Sequence, residues 1–463
     1  MGRRDLLSGT AHKHYIGNDF TSGNVSRQLV WFSLPFLLAT LLSNLYNTVD
    51  MIIIGHFAGS VGTVAVSLGG RCMDLLTMVG QGFAGGGQVL ISQQVGAGKR
   101  QELNKTIGTT FTLLLVLSVL SGGLCFAFSR EILLWLNTPA EAIASAESYL
   151  KITSVGMPLI FGYHSVASVL RGMGDAKSPL IFVAIAAGLN LVLDIVFITV
   201  LGLGVVGTAL ATVIGQGVSL LCSLVVLYRR REAFGFDFRL GSFLPDMEKM
   251  KIITDIGLPL AARALFIGGT QIFAVSFVND YGLVQAAAYS IGTKISMFLN
   301  VINGSMRQAS GSMIGQNVGA GNYERVKEIV RACLRFGVWA AALFSALSLL
   351  FPRQIFGLFT QDPEVVALAG EFMLIACVLY WLSAFLGPLE GVVTGIGNGR
   401  LGFLMGVMDG VVCRLVFSFF FGMTLHMEAA GFFLGNNLGK SGPLVVDSIY
   451  YFSGKWKNYK KLV

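Results

Sequence analysis

Asn190 and Asp194 lie one helical turn apart in the apolar stretch AAGLNLVLDIVFITV, and Asp50 lies in a second such stretch, SNLYNTVDMIIIG. A spacing of four residues places the Asn190 and Asp194 side chains on one face of a helix. A carboxylate at the centre of a bilayer costs about 2.5–3.5 kcal/mol on insertion scales, so it persists there protonated, bound to a cation or facing a wet cavity. These residue types therefore predict a site for a proton or for Na⁺, since carboxylate and amide oxygens are suitable ligands for hard cations.

The elements that must position these side chains are membrane helices. Of the 463 residues, 54% are hydrophobic and 13% are charged, and the mean hydropathy is +0.70. This composition is typical of proteins that cross a membrane many times. Apolar runs long enough to cross a hydrocarbon core of about 30 Å predict an all-α protein with twelve transmembrane helices. The predicted spans lie near residues 28–54, 62–94, 106–128, 144–170, 178–200, 205–228, 255–278, 284–316, 328–351, 366–394, 401–422 and 429–452.

Lysine and arginine are distributed unevenly between the loops. With the N-terminus inside, the cytoplasmic segments contain 24 of the 33 basic residues, among them Arg3, Arg4 and Arg171, whereas the external loops contain Arg130 and Arg353. This distribution predicts a plasma-membrane protein with both termini in the cytoplasm. It also accounts for the net charge of +8 without nucleic acid as a partner, because no module with the basic and aromatic pattern of nucleic-acid binding is present.

The chain repeats itself at an interval of about 223 residues. QQVGAG at 93–98 returns as QNVGAG at 316–321, and RGMGDAK and TGIGNGR are separated by the same interval. Six spans in each repeat would give both halves the same orientation, and transporters with such repeats bind their substrates where the repeats meet. We therefore predict two pseudo-symmetric six-helix lobes, 1–235 and 236–463.

The repeat also separates two interpretations of the buried acids. The interval of 223 takes Asn190 to Cys413 and Asp194 to Phe417, so the second half lacks the polar pair. A hydrogen bond with a purely architectural role would be expected in both halves. We therefore favour an ion-coupling site at Asp50, Asn190 and Asp194 over the alternative that each Asp only hydrogen-bonds to a neighbouring helix.

Other charged residues inside the apolar runs are weaker candidates. They could line a substrate cleft, lie near the membrane interface or pair with one another: Arg263, Arg307, Glu371, Glu390, Asp409 and Arg414. Arg71 and Lys294 fall at matched positions of the two repeats, which favours a structural or snorkelling role for both.

From SLPFLLATLLSNLYNTVDMIIIGHFAG to YYFSGKWK, the chain resembles the prokaryotic branch of the MATE (multidrug and toxic compound extrusion) family. The motifs that carry the resemblance are NTVDMIIIGHFAG, the doubled Q-x-VGAG, LRGMGDAKSP, NLVLDIVFI and GVVGTALATVIGQ. Each motif is short, but their order in one duplicated chain is specific. The resemblance implies an antiporter, coupled to H⁺ or Na⁺, that expels organic and often cationic compounds through a V-shaped cleft between two six-helix lobes.

The resemblance also implies which residues bind the coupling ion. Prokaryotic members with this pattern use an Asp in the first span, an Asn-x-x-x-Asp in the fifth and a Thr in the sixth. The matching residues here, which would also ligate Na⁺ if the protein is sodium-coupled, are Asp50, Asn190, Asp194 and Thr212.

The seventh span departs from the family variant that uses a carboxylate of the second lobe. That variant has a Glu there, whereas LPLAARALFIGGTQIF has none and offers Arg263 and Gln271 to the cleft. The departure argues against a cation site in the second lobe. An arginine at the cleft would also disfavour cationic substrates unless it is paired.

Together these features predict a secondary active antiporter that works by alternating access and is not an enzyme. The expected partners are small organic substrates and the lipid bilayer, the coupling ion is H⁺ or Na⁺, no cofactor is predicted, and we expect a monomer. The nearest alternative is a flippase for lipid-linked saccharides of the related superfamily, although such proteins have more spans or a strongly basic cavity. A membrane receptor that transports nothing would need neither the repeat nor the buried acids.

Overall fold

The computed structural model describes residues 17–463, and within this range the chain forms helices and no strands. The N-terminal tail with Arg3 and Arg4, predicted to be cytoplasmic, lies outside the described residues. The helices of the first half are α1 (Val25–Gly96), α2 (Arg100–Ala127), α3 (Ser129–Trp135), α4 (Ala140–Val155), α5 (Met157–Gly172), α6 (Lys177–Asp194), α7 (Gly204–Arg229) and α8 (Arg231–Phe234).

The second half begins after a 3₁₀ turn at Leu240–Phe243. Its helices are α9 (Met247–Asn279), α10 (Leu283–Ala320), α11 (Tyr323–Leu350), α12 (Pro352–Gly357), α13 (Pro363–Ala367), α14 (Ala369–Ile396), α15 (Gly399–Val407), α16 (Arg414–Phe419), α17 (Glu428–Leu438) and α18 (Ser441–Phe452). Three π-helical segments continue these helices, at Ile195–Val200 after α6, at Met408–Cys413 after α15 and at Phe420–Thr424 after α16, and a 3₁₀ turn at Lys455–Asn458 follows α18.

Two predicted spans, 28–54 and 62–94, fall within the 72 residues of α1. The helix is broken between them at Gly59, where φ is 63° and ψ is −161°. Only glycine adopts this backbone conformation without strain, so Gly59 marks the point where the chain can change direction. The first predicted loop is therefore a break of a single residue.

Eight described helices are long and apolar enough to cross a membrane, and a ninth is added if α4 and α5, which meet at 47°, form one bent span. Their outer surfaces are apolar too, as on α2, where Leu115, Val119 and Leu124 are all more than half exposed. Exposed apolar surface of this extent is expected where helices face lipid. The predicted all-α, multi-pass architecture is confirmed, while the count of twelve spans stays a prediction.

The segment that joins the two halves is attached to the first half. Phe236 is buried in a cluster with residues of α2 and α5, and Thr112 of α2 donates to the carbonyl of Phe243 at 2.5 Å. At the end of this segment Asp246 caps α9 by accepting from the backbone N–H groups of Glu248 and Lys249, as an N-cap residue does. The predicted lobe boundary at residues 235 and 236 stays a prediction.

The doubled Q-x-VGAG motif lies where the two halves touch. A Cβ atom on Gly96 would lie 1.8 Å from the carbonyl oxygen of Gln316, and one on Gly319 would lie 2.0 Å from the carbonyl oxygen of Gln93. No side chain fits at such distances, so glycine is required at both positions by the close approach of the backbones. We call these four residues, which the 223-residue repeat relates in pairs, the glycine seal.

Both ends of the described chain lie against the glycine seal. The side-chain oxygen of Gln316 accepts from the backbone N–H of Phe20 at 3.1 Å, and that of Gln93 accepts from the backbone N–H of Leu462 at 3.2 Å. The side chain of Phe20 is fully buried. Since the repeat relates Gln93 to Gln316, the two terminal segments bind at equivalent positions of the two halves.

Candidate functional site

A cavity of about 1110 Å³ lies between the two halves and is lined by side chains from both. Eight of the nine residues predicted from the sequence to form the ion site or the substrate cleft line this cavity: Asp50, Asn190, Thr212, Arg263, Gln271, Arg307, Glu390 and Asp409. The ninth, Asp194, is 0% exposed and does not line it. The structure thus gathers the predicted residues around one space.

Three of the residues predicted to bind the ion come from three different helices of the first half. Asp50 is contributed by the first part of α1, Asn190 by α6 and Thr212 by α7. With its amide oriented to satisfy both neighbours, Asn190 donates to the two carboxylate oxygens of Asp50 at 3.1 and 3.2 Å, and its oxygen accepts from the backbone N–H of Thr212 at 3.2 Å. Asn190 is 3% exposed, so this amide holds Asp50 in a largely dehydrated setting.

Asp194 lies at the point where α6 changes into the π-helix Ile195–Val200. Wide turns of this kind are rare and occur often at functional sites. The carboxyl groups of Asp50 and Asp194 are within hydrogen-bonding reach of each other. Among the described residues Asp194 Oδ1 has no hydrogen-bond partner.

Two carboxylates this close repel each other unless a proton or a cation lies between them. We call Asp50 and Asp194 the N-lobe carboxylate pair. With the Asn190 amide beside it, the pair presents an oxygen-rich set suited to a proton or a small hard cation. Within residues 17–463, no group of three or more His, Cys, Asp or Glu side chains is arranged to hold a metal ion.

Thr212 joins this site through its backbone. Its hydroxyl donates to the carbonyl of Thr208, one turn earlier on α7, at 3.0 Å. Only its backbone N–H reaches Asn190. Thr212 therefore lies beside Asn190, while its hydroxyl makes its hydrogen bond within α7.

The second half presents paired charges instead. Glu390 of α14 forms ion pairs with Arg263 of α9 and with Arg307 of α10, the latter at 3.3 Å. Asp409 pairs with Arg414 at 2.6 Å and with Arg263 at 3.7 Å. We call these five residues the C-lobe ion network. Arg263, the arginine of the seventh span, is therefore paired. The sequence left open whether it is, and an unpaired arginine would disfavour cationic substrates.

Several charged residues of the cavity wall were missed or given another role by the sequence. Arg171, counted with the cytoplasmic loops, lies in the last turn of α5, lines the cavity and stacks on Phe36 at 5.1 Å. Arg71 lines the cavity, whereas Lys294, at the matched position of the repeat, does not. Asp74 and Lys440 also line it. Each is a single charge in an apolar run, and the run alone does not show which face is wet.

Comparisons with known proteins agree with the motifs. A model of the MatE family matches the chain twice, over residues 35–196 and 259–420. The probable multidrug resistance protein YpnP of Bacillus subtilis (strain 168) is 28% identical over 442 residues, which cover 96% of this chain and 98% of that relative. The multidrug export protein MepA of Staphylococcus aureus (strain NCTC 8325 / PS 47) is 25% identical over 401 residues, covering 85% of this chain and 86% of that relative.

The fold is also that of solved structures. One of them, described as the outward-facing conformation of a multidrug resistance MATE family transporter of the MOP superfamily, superposes with a TM-score of 0.87 at 23% identity and covers 96% of this chain and 98% of that one. The two family matches together span more than half of the chain and follow its internal repeat. The chain therefore belongs to the MatE family of membrane transporters.

Proposed function

We propose that the protein is a secondary active antiporter in the plasma membrane, with both termini in the cytoplasm, that exports organic compounds in exchange for H⁺ or Na⁺. The observation that carries this proposal is the N-lobe carboxylate pair, in which Asp50 lines the cavity shared by both halves and Asp194 lies buried behind it. An intramembrane acid in such a place supports a functional site, because an ionisable group inside a membrane is costly unless it has a role. The names of the relatives favour export of drugs over movement of lipid-linked saccharides.

Alternating access follows from differential binding. The cation and the substrate need not touch, because it is enough that each binds better to the state that the other disfavours. In this structure the two halves are in contact at the glycine seal. The distribution of basic residues predicts that this end of the molecule faces the cytoplasm. We infer that the cavity faces outward here, where the cation enters and the substrate leaves.

A single helix connects the two events. Asp50 lies on α1, and the earlier turns of the same helix carry Phe32 and Phe36, which pack in one apolar cluster with Met313 and Ile314 of α10. Pro35 lies between these phenylalanines inside the helix, where proline removes a backbone hydrogen bond and permits a bend. Cation binding at Asp50 can therefore change how α1 packs on the second half beside the seal.

Proteoliposomes with one imposed gradient test the proposal. We expect efflux of a fluorescent dye to follow a pH gradient or a Na⁺ gradient, each charge supplying about 2.3 kcal/mol per 100 mV plus the chemical term. Asp50→Asn and Asp194→Asn should each abolish the gradient-driven part of efflux while the protein still inserts. Asp280→Asn, at the exposed end of α9, is the matched control. Gradient-driven efflux at the wild-type rate in both site variants would overturn the assignment.

A further inference from the structure

The charges on the cavity wall do not match those expected for a cationic substrate. Ten charged side chains line the cavity, six of them basic and four acidic: Arg71, Arg171, Arg263, Arg307, Arg414, Lys440, Asp50, Asp74, Glu390 and Asp409. The excess belongs to the second half, which contributes four of the basic groups and two of the acids. The resemblance implied substrates that are often cationic, and this wall favours the opposite charge.

The carboxylates of the second half are already engaged. Glu390 is shared by two guanidinium groups and is 5% exposed, and Asp409, between Arg414 and Arg263, is 1% exposed. Neither has a free oxygen face to offer a cationic group without giving up an arginine. Breaking a buried pair in this way is costly, because it leaves an uncompensated charge.

Several donors of the same wall have no anionic partner, or share one with another guanidinium group. Lys440 Nζ donates to the neutral oxygens of Asn300 at 2.8 Å and Ser383 at 2.7 Å, and no ion pair to Lys440 occurs in residues 17–463. Asn303 is 9% exposed, and its Nδ2 has no acceptor within the described chain. The side chain of Arg307 is 35% exposed and shares its carboxylate with Arg263.

Two of these donors lie on one helix face, and the third approaches it from the start of α18. Asn300, Asn303 and Arg307 are spaced by three and four residues on α10, so they project from the same side, and Lys440 is tied to the first of them. Arg414 Nε, also in the cavity wall, has no acceptor among the described residues either. We call Arg307, Asn303 and Lys440 the C-lobe donor row.

We propose that the C-lobe donor row binds an anionic group of the exported molecule, which makes the substrate an organic acid or a zwitterion. This inference rests on the proposed export function and narrows its substrate class. Guanidinium and ammonium donors in a site of low dielectric constant bind carboxylate, sulfonate and phosphate oxygens strongly. A cationic dye would meet the ammonium group of Lys440, which has only neutral acceptors, at the same place.

The charged residues that the first half contributes to the cavity do not offset the excess of basic groups in the second half. The first half contributes Arg71 and Arg171 against Asp50 and Asp74, and the face of Phe36, where a cationic ring system could stack, is covered by the Arg171 guanidinium. Asp447, buried behind the wall at 1% exposure, makes no hydrogen bond to the described residues. It therefore neutralises none of the donor row by direct contact.

Two xanthene dyes of opposite charge give a sharp test by direct binding. Fluorescence anisotropy of the purified full-length protein in detergent would compare 5-carboxyfluorescein, an anion, with rhodamine 6G, a cation of similar ring size. Fluorescein monophosphate is a third arm, which distinguishes phosphate from carboxylate recognition. We expect both anionic dyes, or one of them, to bind more tightly than rhodamine 6G.

Variants then test which residues bind the anionic group. Lys440→Met and Arg307→Gln should each weaken binding of the anionic dye by about 10- to 100-fold, the usual effect of losing a hydrogen bond to a charged group. Binding of rhodamine 6G should stay the same or improve. Lys440→Met leaves no carboxylate without its partner, so it tests the row without breaking the C-lobe ion network. Lys294→Gln, on the same helix as Arg307 but away from the cavity, should bind like the wild type.

The outcomes separate this inference from the proposed function. The inference would be overturned if rhodamine 6G bound more tightly than both anionic dyes. It would also be overturned if all variants bound the anionic dyes equally. Gradient-driven export of rhodamine 6G alone would support the antiporter and refute the anionic substrate. Binding of the anionic dyes that depends on Lys440 and Arg307, without gradient-driven efflux of any dye, would support the donor row and refute the coupling.

Discussion

The two halves of this chain share a repeated helical plan and differ in the charged residues that they place inside the membrane. In the first half, the N-lobe carboxylate pair brings two acids together beside an amide. In the second half, every carboxylate of the C-lobe ion network is matched by an arginine. The interval of 223 takes Asp409 to Ala186 and Arg414 to Leu191, just as it takes Asp194 to Phe417. Duplication supplied one framework, and each half acquired a different charge arrangement on it.

The difference has an energetic consequence. The carboxylate pair is incomplete without a proton or a cation, because two acids at hydrogen-bonding distance repel. In the ion network each carboxylate already has an arginine partner, and removing one member leaves an unpaired buried charge. Under the proposed antiport mechanism, the first half would change its occupancy during transport, whereas the carboxylates of the second half would keep their arginine partners.

The largest expected effect that separates the halves is on stability. Asp409→Asn should lower the free energy of unfolding by about 3–5 kcal/mol, because Arg414 and Arg263 lose a buried partner. Asp194→Asn should leave it unchanged or raise it, since a repulsion disappears. Thermal melting in detergent, followed by intrinsic fluorescence, compares the two directly.

A double variant supplies the control for that comparison. Asp409→Leu combined with Arg414→Met removes both charges of one pair, so it should recover most of the stability that Asp409→Asn loses. Equal melting temperatures for Asp409→Asn and Asp194→Asn would show that the two halves do not differ in the way described.

The glycine seal offers the opposite expectation, because there the halves are equivalent. Gly96→Ala and Gly319→Ala should each disfavour the closed seal to a similar degree, since each added Cβ would meet the backbone of the other half. We expect the rate at which a membrane-impermeant thiol reagent labels Ser92→Cys, introduced into the buried wall of the seal, to rise about tenfold in both.

The matched control for the seal is Gly188→Ala on α6, where an added Cβ meets nothing within 4 Å. Its labelling rate at Ser92→Cys should equal that of the unsubstituted background. A large effect of one seal variant and none of the other would show that the seal, like the ion sites, has diverged between the halves.

The sequence predicts the framework well, and the reasons are physical. Apolar runs and the positive-inside bias follow from the bilayer itself, and the repeat is visible as identical motifs. Asp50 and Asp194 were predicted to have a function because acids are costly in lipid, and Asn190 because it lies one turn from Asp194. Lys440 and Arg171 were not assigned to the cavity, since hydropathy does not show which side of a helix is wet. The pairing of Arg263 with Glu390 joins residues 127 positions apart, which no local pattern reveals.

The terminal segments should have a smaller and unequal effect on the seal. Phe20 is fully buried in a cluster with Phe32 and Phe36, whereas Leu462 is only partly buried. Phe20→Ala should therefore loosen the seal more than Leu462→Ala, because a larger apolar area and a cavity are involved. Labelling of Ser92→Cys measures both. A greater effect of Leu462→Ala would reverse the assigned order.

The smallest expected effect concerns the residue that the resemblance placed in the ion site through its side chain. Thr212→Val keeps the backbone N–H that donates to Asn190. It removes a hydroxyl that donates to the carbonyl of Thr208. Gradient-driven efflux should change by about twofold at most. Asn190→Leu, which removes both hydrogen bonds to Asp50, should reduce it by about tenfold or more. If Thr212→Val abolishes coupling, the hydroxyl must turn away from Thr208 to ligate the cation. The carboxylate pair would then need a third oxygen from α7, which favours Na⁺ over a proton as the coupling ion.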